Sequence, residues 1–327
     1  MWFLILTLIL GFIALVWSAD KFLSGAASTA NHLGVSKMLI GLTVVSVGTS
    51  APEILVSTAA SIEGKGLLAI GNAIGSNIAN IGLVLGITAI IAPLPFSQTV
   101  LKAELPWLLG ATFLALILMF DLYLSPIDGI LLLSGLGLIL WRLVRNQQHA
   151  GADVSESIKE ELDELQHMPR GQAFFWLIAG LLVLLVSAEV LVWSATQIAE
   201  ALGVSELIIG LTIVAVGTSL PELAATVGSA IKGHSDIAIG NVVGSNILNI
   251  LAVLAIPGLI GGTEIDIVAL WRDCGMMLAL TLLLALFAYA IGSQAVITRF
   301  EGLVMLAGWV GYNLLLVNQA GAWTPGS

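Results

Sequence analysis

The stretch IGLTVVSVGTSAPEILVSTAASIEGKGLLAIGNAIGSNIANI, residues 40–81, occurs a second time as IGLTIVAVGTSLPELAATVGSAIKGHSDIAIGNVVGSNILNI, residues 209–250. The two copies align without a gap, so that Ile40 matches Ile209 and Ile81 matches Ile250, and 23 of the 42 aligned positions are identical. Each copy carries one glutamate, Glu53 or Glu222, inside an otherwise apolar stretch. An acidic side chain at membrane depth is costly and marks a functional site. Duplicated apolar segments interrupted by glycine and proline point to the ion site of a secondary transporter.

The composition is that of a membrane protein. Hydrophobic residues form 58% of the chain and charged residues 10%, and the mean hydropathy is +1.04, whereas a soluble domain carries about 25% charged residues. The single cysteine, Cys274, excludes an internal disulfide. The absence of a basic patch argues against nucleic acid as a partner. We expect no cofactor, no enzymatic activity and no obligate protein partner, only ions and the lipid bilayer.

Ten apolar stretches approach the length of about 20 residues that crosses a bilayer. The repeat extends to Ser18-Ala19-Asp20 and its match Ser187-Ala188-Glu189, so whole halves are duplicated. Five spans per half force the second copy to insert upside down. The sequence therefore predicts an all-α polytopic membrane protein with two inverted five-helix repeats. The predicted spans are 2–18, 37–60, 67–92, 105–123, 127–144, 173–198, 206–230, 237–260, 271–291 and 299–317.

The domain organisation follows from this count. We predict a first five-span repeat over 1–144 and a second over 172–327, joined by a linker over 145–171. The linker contains SESIKEELDELQ, whose charge spacing is that of a solvated helix. The alternative, a regulatory cation sensor, is disfavoured because the spacing lacks the D-x-[DN]-x-[DN]-G pattern of a calcium loop.

The basic residues predict the orientation in the membrane. Loops after even-numbered spans hold only Lys65 and Arg272. Because basic residues accumulate on the cytoplasmic side, we predict an inner (plasma) membrane protein with both termini outside and the 145–171 loop in the cytoplasm. The nine basic residues in loops after odd-numbered spans are Lys21, Lys37, Lys102, Arg142, Arg145, Lys159, Arg170, Lys232 and Arg299.

The first element of each copy, G-T-S-x-P-E, carries the chemistry of a cation site. Pro52 and its counterpart Pro221 lack an N–H and disturb the preceding helical turn, which frees backbone carbonyls. Freed carbonyls at membrane depth must be satisfied by a partner. A hard cation such as calcium takes six to eight oxygen ligands from carboxylates, carbonyls and similar donors. The motif supplies carboxylate, carbonyl and hydroxyl oxygens together.

The second element, G-N-x-x-G-S-N-I-x-N, places Ser76 and Asn80 on one helix face, and likewise Ser245 and Asn249. Its paired glycines on their own would indicate only close helix packing. The polar residues that accompany them twice, beside a Pro-Glu motif, favour an ion site instead.

The paired motif, G-T-S-x-P-E followed by G-N-x-x-G-S-N-I in both halves, resembles the α-repeats of the cation/calcium exchanger superfamily. It is most similar to the compact prokaryotic sodium/calcium exchangers. The resemblance covers all ten predicted spans. It implies alternating access, with ions bound midway across the membrane between the two repeats.

The resemblance also implies roles for individual residues. One departure stands out: the second-repeat counterpart of Asn80 is an aspartate in well-studied exchangers of this fold, and here it is Asn249. The resemblance implies that calcium is bound by the carboxylates of Glu53 and Glu222, which also take part in the sodium sites, and by the backbone carbonyls of Thr49 and Thr218. It implies that sodium is bound by the hydroxyls of Ser50, Ser76, Ser219 and Ser245 and by the backbone carbonyls of Ser46 and Ala215. Asn80 corresponds to a central polar residue of the first repeat.

Two carboxylates balance one calcium ion or two monovalent ions. Three sodium ions would leave an uncompensated positive charge, which is costly at low dielectric. The asparagine therefore argues against an inherited ratio of three sodium ions per calcium. An asparagine still offers a carbonyl oxygen, so calcium binding itself is expected.

Three functions compete at this point. The leading hypothesis is an antiporter that exports calcium in exchange for sodium. The second is a calcium/proton antiporter of the same superfamily, in which the glutamates carry protons back, since burial favours the protonated form of a carboxylate. The third is an intramembrane hydrolase that uses Ser50 or Ser219. A serine nucleophile needs a base within reach, and no histidine or lysine is predicted at that depth.

Overall fold

The computed structural model describes residues 1–33, 44–97, 100–149, 168–202, 215–290 and 295–322. Most of the predicted linker lies outside these ranges, as do the first residues of both repeat cores, 40–43 and 209–214. The predicted division of the chain into two domains and a linker therefore stays a prediction.

The first copy consists of helices, wide π-helical turns and two very short strands. In chain order they are α1 (Trp2–Leu33), α2 (Ser46–Thr49), α3 (Ala51–Ile62), α4 (Gly66–Ala79), π1 (Asn80–Leu85), α5 (Gly86–Ile91), β1 (Leu94–Pro95), π2 (Val100–Glu104), α6 (Leu105–Leu118), β2 (Tyr123–Leu124) and α7 (Pro126–His149).

The second copy repeats this order almost element by element. It comprises α8 (Arg170–Ala201), α9 (Ala215–Thr218), α10 (Leu220–Ile231), α11 (Ser235–Leu248), π3 (Asn249–Val253), α12 (Ala255–Gly261), β3 (Thr263–Glu264), α13 (Ile267–Ala269), π4 (Leu270–Cys274), α14 (Gly275–Ala290), β4 (Val296–Ile297) and α15 (Arg299–Ala322).

The two glutamate-bearing segments are each interrupted, as the sequence predicts. α2 and α3 meet at Ser50, whose backbone angles (φ −83°, ψ 8°) are not helical. Pro52 lies in the first turn of α3 and cannot donate a backbone hydrogen bond. The second copy has the same break at Ser219 (φ −88°, ψ 3°). Each break places its glutamate in the first turn of the helix that follows.

Helix length and hydropathy confirm a membrane protein. Among the described residues, seven helical stretches are long and apolar enough to cross a membrane, and two apolar helices, α3 and α10, are shorter. The predicted count of ten spans stays a prediction, because length alone does not establish it. The stretches from α4 to α5 and from α11 to α12 are central, since 78% of each is buried, compared with 17% of α15.

Within the described ranges, four short strands are the exception to the predicted all-α fold. β1 pairs antiparallel with β4, and β2 with β3. Each pair joins one copy to the other, and β1 and β3 occupy equivalent positions in the two copies. Strands of two residues are too short to leave a hydrophobic pattern in the sequence, which explains why the sequence does not predict them.

α1 and α8 pack along each other at very short range. A Cβ on Gly25 would lie 2.4 Å from the backbone nitrogen of Leu177, and one on Gly180 would lie 2.6 Å from that of Phe22. Small residues at helix crossings let backbones approach closely within a membrane. The outward faces of α1 and α15 carry exposed large apolar side chains, such as Phe12 at 60% and Phe300 at 72% exposure, as lipid contact requires.

Candidate cation site

The predicted site residues are buried between the two copies. α2 packs against α11, and α4 packs against π3, so elements of both copies line one region. Thr218 is half-buried, and Ala215 begins α9. The fully buried members of the predicted set are Ser46, Thr49, Ser50, Glu53, Ser76, Asn80, Ser219, Glu222, Ser245 and Asn249.

The two glutamates lie close enough for their charges to interact. Both are 0% exposed, and the charge of Glu222 acts on Glu53. Ser50 donates a hydrogen bond from Oγ to Glu222 Oε1 at 2.9 Å, which joins the two copies. Ser76 donates from Oγ to Glu53 Oε1 at 3.4 Å, within the first copy. Two carboxylates removed from water beside each other require neutralisation by protons or cations.

Asn241 connects the second copy to the first. Its Oδ1 accepts a hydrogen bond from Thr49 Oγ1 at 3.3 Å, and its backbone carbonyl accepts one from Ser46 Oγ at 3.0 Å. Its Nδ2 donates to Thr226 Oγ1 within its own copy at 2.9 Å. This residue therefore fixes the end of α2, where the sequence predicts two carbonyl ligands.

Asn72, the equivalent residue in the first copy, makes the same bond to a hydroxyl of its own copy but differs in its other bond. Its Nδ2 lies 3.1 Å from the backbone carbonyl of Glu53 and 3.0 Å from Ser57 Oγ, and it donates to both. It therefore ties α4 to α3 inside one copy. The sequence motifs do not assign Asn72, Asn241 or the hydroxyls of Ser57 and Thr226 to the site. The available signal was the recurrence of polar side chains at equivalent positions of the two copies within apolar helices.

Both central asparagines start a π-helical turn, π1 at Asn80 and π3 at Asn249. Such turns are rare and concentrate at functional sites, and no pattern in the sequence predicts them. Asn80 Nδ2 donates to Asn246 Oδ1 of the other copy at 3.1 Å. Both side-chain polar atoms of Asn249, in contrast, are buried without a hydrogen-bond partner in the described part of the chain.

Six buried oxygen atoms at the site have no hydrogen-bond partner among the described residues. Buried polar atoms are normally satisfied, and calcium takes six to eight oxygen ligands. The described residues contain no group of three His, Cys, Asp or Glu side chains that could hold a metal ion, so a cation here would depend on two carboxylates and on neutral oxygens. The six atoms are Glu53 Oε2, Glu222 Oε2, Ser219 Oγ, Ser245 Oγ, Asn80 Oδ1 and Asn249 Oδ1.

Comparison with known proteins agrees with this arrangement. The family described as sodium/calcium exchanger protein matches residues 3–145 and 172–318. CaxA of Alkalimonas amylolytica is 43% identical, over 95% of this chain and 98% of CaxA. The inner membrane protein YrbG of Escherichia coli is 39% identical, over 93% of each. The solved structure of the sodium-calcium exchanger NCX_Mj soaked with zero Na+ and Ca2+ matches with a TM-score of 0.81 at 37% identity, over 97% of this chain and 100% of that one. The chain therefore belongs to the sodium/calcium exchanger protein family, and it is a transporter rather than an enzyme.

Proposed function

We propose that this chain is a secondary active antiporter that exports calcium in exchange for sodium by alternating access. One observation carries the proposal: two fully buried carboxylates, Glu53 and Glu222, one from each copy, lie among oxygens that have no partner in the described residues, within helices of a membrane protein. Hard cations bind carboxylate, amide and hydroxyl oxygens. The named function of NCX_Mj, a sodium-calcium exchanger, supports the choice of ions.

Within this proposal the ligands keep the roles that the sequence resemblance implies. The hydrogen bonds from Ser50 to Glu222 and from Ser76 to Glu53 support it, because they put hydroxyl oxygens next to both carboxylates. The bonds of Asn241 to Thr49 and Ser46 support it as well, since they hold the backbone that would supply carbonyl ligands.

The neutral oxygens favour sodium over protons as the coupling ion. A proton binds to one carboxylate oxygen and needs no other ligand, whereas sodium must replace several water oxygens. Ser219 and Ser245 present buried hydroxyls that have no hydrogen-bond partner within the described ranges, and only a cation that keeps a ligand shell would use them. In the calcium/proton alternative these hydroxyls would serve calcium alone, whereas in the sodium alternative both transported ions use them.

The proposed stoichiometry follows from the number of carboxylates. With asparagine at position 249, two negative charges face the ions, enough for one calcium ion or two sodium ions. A third sodium ion would add an unbalanced charge in a region of low dielectric. We therefore infer that two sodium ions exchange for one calcium ion, and that transport moves no net charge.

Contacts between loops support ten crossings in two inverted repeats. With ten spans, β1 follows the third span and β4 precedes the tenth, so their pairing joins two loops on one side of the membrane. β2 and β3 follow the fourth and eighth spans, on the other side. His32 Nε2 contacts the carbonyl of Met168 at 2.8 Å, which joins loops after the first and fifth spans. With nine spans or eleven, some of these partners would lie on opposite sides.

The orientation is proposed from the distribution of positive charge. Nine of the eleven basic residues fall in loops after odd-numbered spans, and the positive-inside rule places those loops in the cytoplasm. Both termini then lie outside, and the 145–171 linker is cytoplasmic. The name of YrbG, an inner membrane protein, supports the inner membrane as the location.

The deciding experiment is calcium-45 uptake by proteoliposomes that contain the purified chain. An outward sodium gradient should drive calcium accumulation, and a pH gradient without sodium should not. Uptake driven equally well by the pH gradient would replace sodium with protons in the proposal. If neither gradient drove uptake into vesicles that contain correctly folded protein, the proposed function would be wrong.

A further inference from the structure

An ion pair joins α1 of the first copy to the end of α10 of the second. Lys232 directly follows the last turn of α10, and its Nζ lies 2.6 Å from Asp20 Oδ1 on α1. The same ammonium group donates to Ser24 Oγ at 3.0 Å and to the backbone carbonyl of Asp20 at 3.3 Å. Three oxygens of α1 therefore hold the end of α10. None of these residues belongs to the proposed ion site.

Between this ion pair and the cation site, α1 covers α10. Ala225, one turn after Glu222, is 0% exposed and shares a buried apolar cluster with Leu23 of α1. A Cβ on Gly228 would lie 3.0 Å from Leu23 Cδ1, so the two helices are in close contact. Lys232 follows Glu222 by ten residues, or about 15 Å along a helix. The ion pair therefore lies at the end of the seam by which α1 closes one side of the site.

The equivalent surface of the first copy is not covered in the same way. Val56 corresponds to Ala225 and is 38% exposed, and Ala59 corresponds to Gly228 and is also exposed. In the part of the chain that the structure describes, α8 does not pack on α3 as α1 packs on α10. The structure is thus closed on the side of α10 and more open on the side of α3.

The charges at the two ends differ as well. Asp20 corresponds to Glu189 on α8, so an acid is present in both copies. Lys232, however, corresponds to Glu63 at the end of α3. Glu63 pairs with Lys65 of its own loop at 2.7 Å. If α8 closed over α3 as α1 closes over α10, two acids would approach each other where the described arrangement has an ion pair, and like charges repel.

We propose that Asp20 and Lys232 form a latch, an ion pair that holds α1 over α10 and keeps one side of the cation site closed. The opposite arrangement, with α8 closed over α3, has no such latch, so the chain favours the arrangement that the structure shows. Both latch residues are positioning residues, since neither touches the proposed site of the transported ions.

The consequence for transport rests on the proposed function and orientation, whereas the latch itself does not. The loops after the first and seventh spans are cytoplasmic in that orientation, so the latch closes the cytoplasmic side, and the resting chain opens outward. The side chains of Asp20 and Lys232 are 46% and 31% exposed, and such ion pairs shift an equilibrium by about twofold to fivefold. A latch of this strength biases the resting state and still opens in every cycle.

The test measures how often α1 leaves α10, with a thiol placed beneath it. The purified full-length chain carries Cys274→Ala, which removes the single native cysteine, and Ala225→Cys. A water-soluble maleimide should react slowly with this buried thiol. Adding Asp20→Asn or, independently, Lys232→Gln should raise the labelling rate about threefold, the size expected of a partly exposed ion pair. Ala224→Cys, at a position that packs on the same cluster, is the second probe if Ala225→Cys does not fold.

Two further measurements separate the latch from general loosening of the fold. Exchanging the charges, with Asp20→Lys and Lys232→Asp together, should return the rate to that of the parent. About 1 M potassium chloride shortens the Debye length to about 3 Å and should raise the rate of the parent toward that of Asp20→Asn. The matched control is Val56→Cys, the equivalent probe of the first copy, whose rate should not rise when the latch is removed.

The proposal would be overturned by a labelling rate at Ala225→Cys that neither Asp20→Asn nor Lys232→Gln raises. A charge exchange that labels as fast as the single variants would also overturn it, as would an equal rise at Val56→Cys. These outcomes are independent of transport, because labelling needs neither sodium nor calcium. Failure of the proposed function would instead appear as absent calcium-45 uptake in a chain whose labelling still depends on the latch.

Discussion

The two copies share their site residues but only some of their hydrogen bonds. In the first copy, Asn72 holds its own helices together, whereas Asn241 reaches across to the other copy. Four side-chain bonds between described residues cross between the copies at the site with a donor from the first copy and an acceptor from the second. The donors are Ser46, Thr49, Ser50 and Asn80, and the acceptors are Asn241, Glu222 and Asn246.

A mirrored set of bonds would have its donors in the second copy and its acceptors in the first. Atoms for such bonds exist, and they have no partner among the residues that the structure describes. The second copy offers Ser219 Oγ and Asn249 Nδ2, the equivalents of two donors in the first copy. The first copy offers two acceptor atoms, Glu53 Oε2 and Asn77 Oδ1. Their residues are equivalent to the acceptors Glu222 and Asn246 of the second copy. A duplicated sequence therefore permits two arrangements of one site, and the structure shows one of them. Under the proposed alternating access between two inverted repeats, we expect the mirrored bonds in the opposite-facing state.

The largest effect is expected from removing either glutamate. Glu53→Gln and Glu222→Gln each remove half of the negative charge at the site, so each should reduce sodium-driven calcium-45 uptake by more than about 100-fold, since losing a buried charged ligand costs about 3–5 kcal/mol. Both variants should remain folded in the membrane.

The matched control for these variants is Glu301→Gln. Glu301 is also buried, but its Oε2 accepts hydrogen bonds from Thr298 at the start of α15, so its loss should affect helix stability and leave exchange intact. Calcium transport retained in either site variant would contradict the assignment of the two half-sites.

A second large effect is expected from Asn249→Asp, which adds a third carboxylate in the second copy. Three clustered carboxylates cannot all stay ionised without cations, so more sodium should accompany each calcium, and flux should become sensitive to acid between about pH 6 and 8. Calcium flux measured against sodium concentration should therefore be steeper than in the parent.

Asn80→Asp tests whether the two central positions are equivalent. Asn80 donates a hydrogen bond to Asn246, whereas the side chain of Asn249 has no hydrogen-bond partner among the described residues. Asn80→Asp therefore also breaks a bond between the copies, and it should retain less calcium flux than Asn249→Asp.

The contradicting outcome for Asn249→Asp is a sodium dependence identical to that of the parent, which would show that position 249 does not face the ions.

A smaller effect is expected from the serines next to the glutamates. Ser50→Ala removes the bond to Glu222 and destabilises the described arrangement, whereas Ser219→Ala removes a hydrogen bond to Glu53 that only the mirrored arrangement contains. A net hydrogen bond of about 1 kcal/mol corresponds to about fivefold. The apparent calcium affinities measured from the two sides of the membrane should shift by about this factor, in opposite directions for the two variants. Shifts in the same direction would exclude the mirrored exchange.

The smallest effect is expected from voltage. With two sodium ions per calcium, the flux carries no net charge, so a potassium/valinomycin clamp of about 100 mV should leave the final calcium gradient unchanged. One net charge per cycle would change the driving free energy by about 2.3 kcal/mol, a shift of roughly 50-fold in the gradient. A shift of that size would require a third sodium ion.

The repeated motif predicted the breaks in both glutamate-bearing helices, because proline and glycine act locally. Its assignment of the ion ligands stays a prediction. Glu53 and Glu222 could be paired from the sequence alone, since identical surroundings at a constant offset imply equivalent places in two halves. The composition predicted a membrane protein, and the resemblance of the paired motif predicted the exchanger family, and both predictions are confirmed.

The remaining features depend on how the copies meet. The π-helical turns at Asn80 and Asn249 arise in tightly packed central helices, and the strand pairs join segments that are far apart in the chain. Neither leaves a periodic signal. The unequal bonds of Asn72 and Asn241 could not be predicted, because an alignment of two copies shows which residues are equivalent and not which of two equivalent bonds forms.

The central claim is that one cation is held by carboxylates from both copies. The most direct test is anomalous diffraction from crystals of the full chain soaked with calcium or its heavier analogue strontium. We expect the strongest ion peak between the two copies, with oxygen ligands at about 2.3–2.6 Å that include both Glu53 and Glu222. A strongest peak that contacts only one of these glutamates, or neither, would contradict the account.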